Sequence, residues 1–158
     1  MPEPDRNPAG LVWDATRPGE VEIALPERMD AGLVFIGRIR TPFATRSECP
    51  RRGRPDGPVC RIEIDPPFRA GLKGIEGHHR LEVLYFMHQA RRDLIVQTRH
   101  RDGMTCGTFA LRSPVRPNPI ATSIVELIGI EEGALLVRGL DCVDGTPLID
   151  LKPDHGPA

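Results

Sequence analysis

Seventeen prolines and sixteen glycines, spread without period along 158 residues, leave few stretches in which a helix of several turns can run uninterrupted. No Gly-X-Y period is present, which excludes a collagen-like rod. The short segments between breakers favour a turn-rich, strand-rich fold over a helical bundle. The length suits one compact domain that buries its own core without a disulfide or metal staple. A formal net charge of -1 excludes a generally basic coat for nucleic acid, so any affinity for phosphates needs local positive charge.

Between the breakers, apolar residues alternate as they do in half-buried strands. Val21, Ile23 and Leu25 share one face and Pro26 ends the run. Residues 33–40 form a second strand, stopped by Thr41-Pro42, and 59–65 a third with Cys60, Ile62 and Ile64 inward. Strands follow over 80–87, 93–100, 107–111, 122–130 and 134–140. The last two are joined by Glu131-Glu132-Gly133 as a hairpin. Residues 148–151 give a final strand after the Asp144-Gly145 turn, and 66–75 hold one short helix. The pattern predicts a mostly β protein: a small single-sheet antiparallel β-barrel with one or two short helices. Residues 1–30 read as an N-terminal extension with one strand and Trp13 as its apolar anchor, 31–153 as the barrel domain, and 154–158 as a tail.

Several common chemistries lack their signatures. There is no GxGxxG after a first strand, no GxxxxGK[ST] loop and no GxSxG elbow. Cys49, Cys60, Cys106 and Cys142 form no CxxC pair and read as reduced, partly buried thiols of a cytosolic protein. His78, His79 and His88 do not meet metal-ligand spacing, so no metal is expected. The polar, proline-broken start is unlike a signal peptide, and no apolar run approaches membrane-spanning length.

Three segments carry candidate chemistry. Residues 41–58 are irregular and hold Arg46, Arg51, Arg52 and Arg54 among four prolines; they read either as a solvated loop or as a basic flap over an anionic ligand. In 112–120, three prolines within six residues stiffen a loop that carries Arg112, Arg116 and Asn118; it reads either as a rigid surface connection with solvated arginines or, as is favoured, as guanidinium forks pre-aimed at a planar anion. In 139–152, Asp141, Asp144 and Asp150 flank a Gly145 turn; such carboxylates either cap turns or bind ribose hydroxyls or a cation.

At these residues the sequence resembles the TsaA-like (YaeB-type) family of S-adenosylmethionine-dependent tRNA methyltransferases. Four stretches carry the resemblance in order: Ile36 to Phe43; Gly74-Ile75-Glu76-Gly77 running to Tyr85-Phe86-Met87-His88-Gln89; Gly107 to Arg112 leading into Arg116-Pro117-Asn118-Pro119-Ile120; and Asp144-Gly145-Thr146-Pro147 with Asp150-Leu151-Lys152-Pro153. The resemblance implies a small dimeric, cytoplasmic β-barrel. It implies methylation of the exocyclic nitrogen of threonylcarbamoyl-adenosine beside the tRNA anticodon. It also implies that S-adenosylmethionine is held by Pro50, Arg51, Arg52, His88, Gln89, Arg112, Asp144, Gly145, Thr146 and Pro147, with Arg116, Asn118 and Lys152 toward the substrate. The chain departs from the family pattern at Arg52 (Gln in the family), at His78-His79, at Ala121 (Gly) and at Asp154 (Tyr).

The chemistry asked of these residues is consistent with that implication. A guanidinium fork suits the cofactor's carboxylate, and an acidic turn suits its ammonium or ribose. Methyl transfer is an in-line displacement that needs no covalent enzyme intermediate, so positioning can supply much of the rate. A urea-like acceptor nitrogen must also lose a proton, for which Asp141, Asp144 and water are all open. Other acceptors, or a non-catalytic cofactor- or oligonucleotide-binding barrel, are the alternative readings.

Overall fold

Six strands close into an antiparallel barrel, and three more form a separate sheet. The computed structural model describes residues Asp14–Gly156, so Trp13 lies outside the described residues. The strands are β1 (Val21–Glu22), β2 (Gly37–Arg40), β3 (Val59–Ile64), β4 (Arg80–Phe86), β5 (Leu94–Thr98), β6 (Thr105–Gly107), β7 (Ile120–Glu131), β8 (Ala134–Arg138) and β9 (Thr146–Pro153). The chain divides into two compact units. One comprises Leu33–Phe86 and the described residues from Ala121 onward; the other comprises Met87–Ile120 and the described residues before Leu33.

The first unit is the barrel, with strand order β2-β3-β8-β7-β4-β9. Alternation decides its core. Ile39, Cys60, Ile62, Leu81, Val83, Tyr85, Val125, Val137 and Leu148 are each no more than 1% exposed, while their sequence neighbours face outward. The β7–β8 hairpin forms at the expected place, with Gly133 at φ 68°. The expected helix over 66–75 appears as 3-10 turns at Pro66–Leu72 and Ile75–Gly77; Pro66-Pro67 and the glycines at 71 and 74 leave no room for a helical ladder. Strand β2 starts at Gly37, because its pairing with β9 begins where Ile36 N–H reaches the Leu148 carbonyl at 2.9 Å. Leu33, Val34 and Phe35 stay exposed ahead of it. At the far end of β9, Asp154 pairs with Arg80 at 2.8 Å, so the residue standing where the family has tyrosine fastens the tail to β4.

The register puts functional loops at one rim. Arg40 pairs with Arg61, Ile39 with Thr146, Val59 with Arg138, and Tyr85 with Leu148. The β2–β3 loop, the β8–β9 connection, the end of β4 and the start of β7 therefore all lie on the same rim of the barrel.

The second unit holds the sheet β1-β5-β6. Strand β1 is shorter than the expected run to Leu25: Ile23 N–H still bonds Asp93 O at 2.7 Å, and Pro26 can donate nothing further. The run expected as a strand over 107–111 ends at Gly107 and turns through a 3-10 segment at Thr108–Ala110. Thr108 explains the turn. Its buried hydroxyl donates to Leu94 O at 2.9 Å and accepts from Gln97 Nε2 at 2.8 Å, while Phe109 is left 76% exposed. No helix of the described residues is long and apolar enough to cross a membrane.

Candidate functional site

On the barrel rim, the β2–β3 loop is seated on the β8–β9 connection. Gly53 makes this possible: a Cβ there would stand 1.7 Å from the Gly139 carbonyl oxygen. At the other end of the loop, the Thr41 hydroxyl donates to Cys142 O at 2.8 Å, and Asp144 N–H donates to Phe43 O at 2.8 Å. The Thr41 N–H also donates to Asp144 Oδ1 at 3.1 Å. The loop is thus anchored rather than a free solvated excursion. Pro50 is half-buried and Arg51 and Arg52 are exposed, next in chain to the glycine that docks it. Among the described residues neither arginine has a hydrogen bond or ion pair, whereas Arg54 is committed to Asp56 at 2.7 Å.

The Asp144-Gly145-Thr146-Pro147 turn crosses the same rim. Gly145 sits at φ 80°, the left-handed conformation that makes a β-carbon costly, and its N–H donates to Ile39 O at 2.8 Å. Thr146 is buried and its hydroxyl donates to Val143 O at 2.6 Å, so this side chain shapes the turn and offers nothing outward. Asp144 is half-exposed, with Oδ2 3.8 Å from Arg40 Nη1. The barrel unit therefore gathers Pro50, Arg51, Arg52 and the Asp144 turn on one rim. Lys152 is not gathered with them. It lies near the opposite end of β9, about 20 Å from Thr146 at ~3.3 Å per residue, and pairs with Asp150 at 2.8 Å.

Two residues beneath this rim escaped the sequence reading. Tyr85, the chain's one tyrosine, is 1% exposed and donates its hydroxyl to Asp141 Oδ1 at 2.7 Å; Ser123 Oγ stands 2.8 Å from the same hydroxyl. The signal available in the sequence was a phenol at an inward position of an alternating strand, which needs a buried partner. Burial, helped by the neighbouring Asp141 charge, holds the Tyr85 hydroxyl well above the ordinary phenol range. Burial also pushes the Cys49 and Cys60 thiols up to about 11 and Cys142 up to about 12. These thiols are neutral at ordinary pH and supply no thiolate nucleophile.

In the second unit, His88 and Gln89 occupy the two central positions of a turn closed by Ala90 N–H to Met87 O at 3.0 Å, and both are exposed. Met87 N–H donates to Pro119 O at 2.8 Å, tying this turn to the proline-stiffened loop. Arg116 is spent on that loop: its guanidinium donates to the carbonyls of Thr108, Leu111 and Ser113 at 3.4, 3.3 and 3.2 Å. The Asn118 side chain accepts from Arg92 at 3.4 Å, and Arg92 Nε donates to Pro117 O at 2.6 Å. Arg112 is exposed, with no hydrogen bond or ion pair among the described residues. Of the two arginines expected to aim at ligand, one is a staple of the loop and the other is presented by it. Among the described residues no group of three or more His, Cys, Asp or Glu is placed to hold a metal ion; His78 packs edge-on to His155 at 6.0 Å.

Comparison with known proteins finds relatives along most of this chain. The protein from Rhizobium radiobacter named "Probable S-adenosyl-L-methionine-binding protein VirR" is 51% identical over 151 residues, covering 94% of this chain and 86% of that protein. An S-adenosyl-L-methionine-binding protein of Archaeoglobus fulgidus is 40% identical over 117 residues, covering 74% of this chain and 84% of its own length. The crystal structure of TrmO from Pseudomonas aeruginosa superposes with a TM-score of 0.66 at 34% identity, over 80% of this chain. This chain spans 56% of that TrmO chain. The family described as the tRNA-methyltransferase O N-terminal domain matches residues 38–155. The chain, with its closed barrel and its two loops docked across one rim, belongs to the tRNA-methyltransferase O N-terminal domain family.

Proposed function

We propose that the protein is an S-adenosylmethionine-dependent methyltransferase that acts on the exocyclic nitrogen of threonylcarbamoyl-adenosine beside the anticodon of tRNA. The observation that carries this reading is the docking of the β2–β3 loop on the β8–β9 connection through Gly53 and Gly139. It brings unpaired Arg51 and Arg52 to the same rim as the Asp144 turn. Unpaired guanidinium groups and a half-exposed carboxylate are the donor set that a zwitterionic nucleoside asks for: cations for its carboxylate, an acid for its ammonium or ribose hydroxyls. The residues present therefore fit the cofactor.

Pro50, Arg51, Arg52, Asp144, Gly145 and Pro147 hold it from the barrel; His88, Gln89 and Arg112 are further cofactor residues on the strength of the family resemblance. When bound, the cofactor supplies a methyl group already activated by positive sulfur. The chain's own residues are left to bind, orient and exclude water. Asn118 faces the acceptor. Arg116 supports it indirectly, by fixing the loop that presents Arg112 and Asn118. Lys152, far down β9, suits only an acceptor as extended as tRNA. The protein acts in the cytoplasm as a homodimer; the outward row Ile124, Ile128 and Ile130 on β7, 40–47% exposed, is apolar surface that a second copy would cover.

Incubation with methyl-labelled S-adenosylmethionine and tRNA from a strain lacking this methylation tests the reading. Label in the threonylcarbamoyl-adenosine of digested tRNA is the expected result. Label confined to small molecules would overturn the acceptor, and cofactor binding with no transfer would overturn the activity.

A further inference from the structure

We propose that Asp141 is the catalytic base that takes the acceptor nitrogen's proton, oriented by a relay from Ser123 through Tyr85, and that Asp144 is not. The assignment rests on the methyltransferase reading above and adds a residue and a role to it.

Three candidates for that proton were open in the sequence, and the geometry separates the two carboxylates. Both oxygens of Asp144 are engaged, Oδ1 by the Thr41 N–H and Oδ2 by the Arg40 guanidinium. Neither oxygen is therefore left free to meet an acceptor proton. Asp141 lies three residues earlier on the same connection. Its Oδ1 accepts one hydrogen bond, from Tyr85, and among the described residues it has no ion pair and no partner for Oδ2. Asp141 as a residue is half-buried, whereas Asp144 is exposed.

The relay fixes how that oxygen points. Tyr85 has one hydroxyl proton and gives it to Asp141, so the Ser123 hydroxyl is the donor to Tyr85. Tyr85 comes from β4, Ser123 from β7 and Asp141 from the β8–β9 connection, all in the barrel unit. A side chain held from two strands is a positioned group rather than a surface acid. The titratable groups facing Asp141 are the Tyr85 hydroxyl from β4, the Cys49 thiol from the β2–β3 loop and the adjoining Cys142 thiol, all protonated at neutral pH.

The step balances. The acceptor nitrogen's lone pair forms the new N–C bond as the C–S bond breaks. Its electron pair returns to sulfur, which becomes a neutral thioether. The N–H grows strongly acidic as the nitrogen gains positive charge, and its proton passes to Asp141 Oδ2 and from there to water. A carboxylate can take the proton because the transfer runs with bond formation rather than ahead of it.

Asp141→Asn tests this by calorimetry with S-adenosylmethionine and by methyl transfer to unmodified tRNA. The expected result is cofactor affinity within about twofold of wild type, with turnover reduced on the order of 10²- to 10⁴-fold. Tenfold weaker cofactor binding would make Asp141 a cofactor ligand, and unchanged turnover would make it a bystander; either overturns the assignment while leaving the methyltransferase reading standing. Wild-type protein that transfers no methyl to tRNA overturns both. Tyr85→Phe supplies a readout that a structural role would not move. With the carboxylate no longer held by the phenol, a folded Tyr85→Phe protein should lose kcat while its KM for S-adenosylmethionine stays unchanged. Unchanged kcat in that protein counts against the relay.

Discussion

Gly53 faces the carbonyl oxygen of Gly139 so closely that a methyl group on Gly53 would overlap it, at 1.7 Å. Two loops more than eighty residues apart in sequence are locked at this contact. One carries the unpaired arginines of the rim and the other its carboxylates.

Gly53→Ala must therefore move backbone, since the obstacle is a carbonyl and not the end of a flexible side chain. We expect a stability loss of about 1–3 kcal/mol, typical of overpacking, together with weaker cofactor binding as Pro50, Arg51 and Arg52 are displaced. Thermal melts and calorimetry on the same sample check both effects. An unchanged melt would mean that the loop is not docked as described.

Alkaline pH acts through the buried thiols. Burial raises Cys49 and Cys60 from 9.0 to about 11 and Cys142 to about 12. In the unfolded chain these thiols ionise near their ordinary value, while in the folded chain they hold their protons. The unfolded state thus binds fewer protons between about pH 9 and 12, and stability falls as pH rises through that window. Melting temperatures measured from pH 8 to 11 should decline. Replacing Cys142 by Ala should flatten the decline, and an identical slope in that variant would contradict the assignment.

Much of the rim was legible in the sequence because its parts obey local rules. Asp144-Gly145 announces a turn, and Gly145 does take positive φ. Alternation over 59–65 gave the inward face of β3 almost residue by residue, and the apolar run over 80–87 gave the span of β4. What could not be read depended on partners distant in sequence. Arg116 sits beside Arg112 in every local respect, yet its donors are taken by Thr108, Leu111 and Ser113 because of how the chain turns at Thr108. The same turn ended a strand that periodicity alone extended to Leu111. Lys152 shares a motif with Asp150 but lies a strand's length from the Asp144 turn, since an extended chain carries its residues apart as fast as it can. Tyr85 and Ser123, thirty-eight residues apart, meet only because β4 and β7 are neighbours in a closed sheet.

The exposed guanidinium of Arg112 is proposed to take the carboxylate of S-adenosylmethionine, and calorimetry with that cofactor on wild type and Arg112→Ala puts the proposal to the test. Arg112 makes no hydrogen bond or ion pair among the described residues, so the variant should fold and melt like wild type. We predict saturable binding at one cofactor per chain in wild type. In the variant it should be weakened by roughly 10- to 150-fold, the equivalent of about 1.5–3 kcal/mol for a charge-assisted hydrogen bond. Unchanged affinity in a folded Arg112→Ala protein, or no binding heat in wild type, would contradict it.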